Sequence, residues 1–166
     1  MGNKYTIKFS GLALGTHQFS FKAADDFFDS IEFGEIRKGD LSVKVDMIKE
    51  ETMLVLDFDI SGTVNIMCDR CSELYDQEIK GENQLIVKFG DEAHQTTDDI
   101  LVLPRGESEM SITLYIYEFI HLLIPQKRVH PEGDCDQEVV DRLNELSTSR
   151  RFKGGDPRWD ALKEVL

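Results

Sequence analysis

The sequence predicts an α+β fold, and three observations carry that prediction. Apolar and polar residues alternate with a period of two through most of the chain up to Pro104, apolar residues recur at helical spacing mainly after it, and Gly62 interrupts the longest alternating run where a sheet would have to curl. The expected architecture is a curved, antiparallel, barrel-like β-sheet in the N-terminal half with helices packed from the C-terminal half. At 166 residues there is room for one ordinary hydrophobic core and little for two. The chain therefore reads as a single domain, 1–166, mainly β over 1–104 and mainly α over 105–166, with mobile segments near 91–99 and 147–156.

Each element follows from its own pattern. Tyr5, Ile7 and Phe9 share one face of a first strand, and His17, Phe19 and Phe21 one face of a second, with "SGLALGT" between them. "KAADDFFDSIEFGEI" predicts a short helix with Ala24, Phe27, Phe28 and Ile31 inward, ended by Gly34. Leu41, Val43, Val45 and Met47 alternate with polar residues in the next strand. In "MLVLDFDISGTVNIMC" the even positions Leu54 to Cys68 are apolar apart from Gly62, while Asp57, Asp59, Ser61, Thr63 and Asn65 share the wet face; Gly62 suggests a bulge or sharp bend. The alternation resumes through Tyr75, Gln77 and Ile79, then Leu85, Val87 and Phe89, and "DILVLP" reads as a short extended segment. Ile112, Tyr115 or Ile116, Phe119, and Leu122 or Leu123 recur at helical spacing, with Ser111 available as a cap and Pro125 as a stop. Val139, Val140, Leu143 and Leu146 line one side of a second late helix. "DPRWDALKEVL" places Asp156 at an N-cap, Pro157 at the first helical position and Trp159, Leu162 and Leu166 on one stripe.

Charge narrows the partners. Nineteen Lys and Arg stand against 32 Asp and Glu, a net charge of −13, so the averaged field repels phosphate backbones and attracts basic proteins. "RRFKGGDPRW" is a local basic exception, read as a solvated linker before the last helix. The N-terminus lacks the apolar core of a signal peptide, and no apolar run approaches membrane-spanning length, so a cytoplasmic location is expected. Three cysteines without an export signal point to thiols or thiolate ligands rather than disulfides.

Cys68 and Cys71, in "CDRC", are therefore the first candidates for chemistry. A redox pair of this spacing sits where a strand feeds a helix, because the helix N-terminus acidifies the first thiol. Here "SELYDQEI" continues as strand, which leaves a thiol-disulfide oxidoreductase as a rival rather than the main reading. A hairpin turn carrying CxxC is instead the usual half of a zinc site, and "VHPEGDC" offers His130 and Cys135 as the other half. Three thiolates and one imidazole form a closed structural set; unliganded free cysteines are the alternative that the spacing leaves open. Asp57 and Asp59 share a strand face and offer metal-dependent RNA cleavage as a further rival, but the polar residues continuing that face favour plain solvation. Glu118 and His121 make one Glu-x-x-His without the second copy a di-metal bundle requires, and no phosphate loop, nucleotide fingerprint or hydrolase triad is present.

Taken in order, "CDRC" between strands, "YEFIHLLIPQKRVHPEGDC", and the terminal "DPRWDALKEVL" resemble the YceD family, the large ribosomal RNA subunit accumulation proteins. The resemblance covers residues 53 to 166 and departs from the family at "LLIPQKR", where a more apolar stretch around a Leu-Pro pair is usual. It implies a non-enzymatic bacterial factor for accumulation of 23S ribosomal RNA and large-subunit assembly. Its motif falls here on Cys68, Arg70 and Cys71, on His130 and Cys135, and on Asp156, Pro157, Arg158 and Trp159. The expected partner is a basic large-subunit ribosomal protein or a precursor particle, with no membrane or small-molecule substrate. Direct contact with 23S ribosomal RNA is the less favoured route for so acidic a chain. Arg70, Arg158 and Trp159 are the candidate partner contacts. Arg70 equally suits a donor to the metal ligands, and Trp159 an anchor for the last helix.

Overall fold

The computed structural model describes residues 4–90 and 100–147. Ten elements follow in order: β1 (Thr6–Lys8), β2 (Gly15–Ala23), α1 (Asp25–Asp29), β3 (Lys38–Lys49), β4 (Met53–Met67), β5 (Leu74–Gly90), β6 (Ile100–Pro104), β7 (Glu109–Ser111), α2 (Thr113–Leu123) and α3 (Gln137–Leu146). The described residues gather into two compact units, one of 4–66 with 74–128, the other of 67–73 with 129–147.

The first unit holds a mixed α+β core. Its larger sheet has the order β2-β3-β4-β5-β6, and β1 pairs antiparallel with β7 in a separate two-stranded sheet. Alternation placed the core faces correctly, because successive side chains of a strand point to opposite sides. Leu41, Val43, Val45 and Met47 of β3, and Leu54, Leu56, Phe58, Ile60 and Val64 of β4, are fully or almost fully buried. The sheet has two ends, β2 and β6, and no pairing among the described residues closes it into a barrel. Nor is it wholly antiparallel, since β6 runs parallel to β5.

Gly62 has a role other than the expected bulge. The β3–β4 register runs unbroken from Lys38↔Asn65 to Lys49↔Leu54, with Gly62 opposite Leu41. Gly62 has φ +145°, and a Cβ there would collide with the Asp40 carbonyl oxygen and lie 2.9 Å from Leu41 Cα. Close backbone approach, rather than an extra residue, demands glycine.

The helices are displaced from their predicted limits by local chemistry. Helix α1 buries Phe27 and Phe28 as expected but ends at Asp29, where Ser30 Oγ donates to the Phe27 carbonyl at 2.6 Å. Ile31 is only half-buried, and Phe33 adopts φ +61° in the loop beyond. Ile112 occupies the N-cap position of α2 without a side-chain cap, and the predicted Ser111, at the end of β7, accepts from Thr113 N–H at 3.5 Å. Its buried face is Ile112, Ile116, Phe119 and Ile120; Leu122 is exposed. Phe119 meets Phe58 edge-on at 5.0 Å, and a Cβ on Gly81 of β5 would strike Leu123 Cδ2, so the missing side chain lets α2 lie close to the strand.

The second unit contains the turn after β4 and, after α2, a loop leading into α3. Asp136 caps α3 by accepting from Glu138 N–H at 2.8 Å and Val139 N–H at 3.4 Å. The predicted apolar side of this helix is present, yet none of its residues is buried. The expected last helix, with Arg158 and Trp159, lies outside the described residues, as do 91–99 and most of 147–156.

Candidate metal centre

The turn between β4 and β5 is closed by its own backbone. Cys68 N–H donates to the Glu73 carbonyl at 2.8 Å, and Ser72 N–H donates to the Cys68 carbonyl at 2.9 Å. Ser72 takes φ +63°, the left-handed residue that lets so short a turn reverse the chain. This fold-back aims Arg70 N–H at Cys68 Sγ, 3.4 Å away. The backbone donor and the left-handed residue were not singled out in the sequence. Their only trace there is the short polar run "DRCSE" between two alternating segments.

The remaining donors come from "VHPEGDC". Pro131 accepts from Asp134 N–H at 3.2 Å, and Gly133 at φ +99° completes the tight loop that returns Cys135 to His130. His130 Nδ1 lies 3.4 Å from Cys71 Sγ and 3.7 Å from Cys135 Sγ, and Cys68 Sγ lies 3.8 Å from Cys135 Sγ. All four donor atoms fall within 4.8 Å of one another, and all four belong to the second compact unit.

These separations suit a tetrahedral ion. Metal–sulfur bonds of about 2.3 Å and metal–nitrogen bonds of about 2.0 Å, at tetrahedral angles, put sulfurs ~3.8 Å apart and sulfur and nitrogen ~3.5 Å apart. The sulfurs are too distant for a disulfide, and all three cysteines are free. The cluster can accordingly hold a metal through Cys68, Cys71, His130 and Cys135.

Electrostatics favour deprotonation at one corner. Burial pushes the Cys68 thiol up, but the backbone groups of Cys71, His130 and Arg70 and the His130 ring outweigh it and bring its pKa down to about 5. Burial pushes the Cys135 thiol up, and the neighbouring sulfurs of Cys68 and Cys71 push it further. A cation among them would relieve that repulsion. Arg70 reaches towards the same point, its Nη1 3.8 Å from Cys135 Sγ, so the guanidinium stands beside the cluster's sulfurs.

The other polar candidates stay apart from this cluster. Asp57 and Asp59 lie on the outer face of β4, with Asp57 accepting from Gln84 Nε2 at 2.7 Å. His121 Nδ1 donates to the Tyr117 carbonyl at 2.9 Å, an intrahelical bond that accounts for its place in α2. No helix among the described residues is long and apolar enough to cross a membrane.

A family model described as "Large ribosomal RNA subunit accumulation protein YceD" matches residues 56–166, more than half of the chain and the whole of the candidate centre. No curated protein and no solved structure gives a match.

Proposed function

The chain belongs to the YceD family, and we propose that it is a non-enzymatic factor supporting 23S ribosomal RNA accumulation and large-subunit assembly in the cytoplasm by binding a basic ribosomal protein. The family match over 56–166 carries this reading, and a net charge of −13 supports a basic protein over bare RNA as the first contact. In the same reading Cys68, Cys71, His130 and Cys135 hold one zinc. What supports a structural ion is the composition of the second unit: among its described residues the only buried side chains are Cys68, Cys71 and Cys135, so no aliphatic core orders those residues. Bound there, zinc would act as a cross-link with every coordination position filled by protein. Arg70 would serve it by offsetting the surplus negative charge of three thiolates.

The acidic Cys68 thiol is also what an oxidoreductase would use. Against that reading stand the burial of both thiols of the CxxC pair and the strand that follows them. Rapid reaction of Cys68 with a small disulfide in metal-loaded protein would favour it.

Affinity purification from lysate across a salt series, identifying bound protein and RNA together, tests the main reading. A basic large-subunit ribosomal protein released by rising salt is the expected result. Tight, salt-sensitive capture of 23S fragments with no ribosomal protein would reject it. Metal analysis of protein purified without added metal should return stoichiometric zinc; near-zero zinc in a fully folded chain would reject the metal assignment.

A further inference from the structure

We infer that the outer sheet face of β3, β4 and β5, with the adjoining side of α2, is a docking surface for a Lys- and Arg-rich protein segment carrying an apolar anchor residue. The inference rests on the basic-partner reading above and gives that partner its place.

Asp46 of β3 stands directly opposite Asp57 of β4. Like charges in direct register destabilise a sheet, and neither carboxylate makes an ion pair among the described residues. With Asp59 and Glu82 they line a cleft of about 520 Å³ whose walls include no Lys or Arg. Lys44 is paired in register with Asp59, so one positive charge stands near four negative ones. A second cleft of about 930 Å³ shares Glu82, Asn83 and Gln84 with the first. Tyr117, Phe119 and Leu122 of α2 give it an apolar wall, and Glu118 adds another carboxylate.

A segment spanning both clefts would meet two needs: cations for Asp46, Asp57, Asp59 and Glu82, and an apolar side chain for the 71% exposed Leu122. Phosphate backbones would be repelled by the same carboxylates, and a lone divalent ion would leave the apolar wall unused.

The test is a titration of isotope-labelled full-length protein with a synthetic peptide alternating Lys or Arg with Leu, alongside a version with Ser for Leu. Amide shifts should cluster at Asp46, Asp57, Asp59, Glu82 to Gln84 and Leu122, with the Ser peptide binding more weakly. The double variant Asp46→Asn, Asp57→Asn should bind at least about fivefold more weakly at low salt, the gap closing as salt is raised. It should melt no lower than the parent, because the like-charge contact is gone; Leu122→Ser, on an exposed position, should separately abolish the preference for the Leu peptide. Shifts confined to other regions, unchanged affinity in these variants, the same shifts from magnesium alone, or the same shifts from raising protein concentration would each overturn the inference. If the parent captures a basic ribosomal protein from lysate and the double variant captures it equally, the surface is wrong while the proposed function stands. If the parent captures none while the peptide still binds at this face, the surface stands and the proposed function fails.

Discussion

At the scale of single residues, conformation and charge concentrate on a few positions. Arg70 is held by its turn so that its backbone faces Cys68 and its guanidinium faces Cys135. Its removal should leave the four donors in place but weaken metal affinity roughly 10- to 100-fold, read by competition with a chromogenic chelator. Gly62 is the opposite kind of residue, important for what it lacks. With φ +145° and the Asp40 carbonyl where a side chain would begin, Gly62→Ala should destabilise the chain by about 3 kcal/mol in urea unfolding. Lys49 is a quieter case, its ammonium donating to the carbonyls of Phe9 at 2.8 Å and Leu12 at 2.7 Å. Replacing it with Met should cost about 1–2 kcal/mol by leaving those part-buried acceptors without a charged donor.

At the scale of elements, the strands were legible and the helix faces less so. A strand's inward set is decided by parity alone, so Leu41 to Met47 and Leu54 to Ile66 could be read directly. A helix turns through 100° per residue, and α2 is apolar almost all round, leaving Leu122 and Leu123 as equal candidates in the sequence. Packing against β5 decided the phase, with Leu123 over Gly81 and Leu122 in solvent. Ile116→Ala should therefore cost about 3 kcal/mol, against less than about 0.5 for Leu122→Ala, both measured by thermal or urea unfolding. Helix α3 follows another logic, since it buries no residue and depends more on its cap. Asp136→Ala should lower its local stability by about 1 kcal/mol, visible as reduced amide protection over residues 137–146.

At the scale of the whole molecule, the described parts of the two compact units rely on different forces. The first buries a broad apolar core, whereas the described part of the second buries only its three cysteines. Chelation should consequently strip hydrogen-exchange protection from 67–73 and 129–147 while the β3 and β4 amides keep theirs; loss or retention in both units alike would contradict this division. The sequence by itself determined which residues of β1 to β5 face inward, where the CxxC turn falls and which later residues have metal-ligand chemistry, because these depend on neighbours a few positions apart. Only the tertiary structure decided that β1 pairs with β7, that β6 lies parallel on β5, that the sheet stays open, and that Cys68 and Cys135 come within 3.8 Å across 67 positions. Periodicity reports local geometry, while long-range pairing depends on packing and on closing long loops, and neither leaves a periodic mark on the chain.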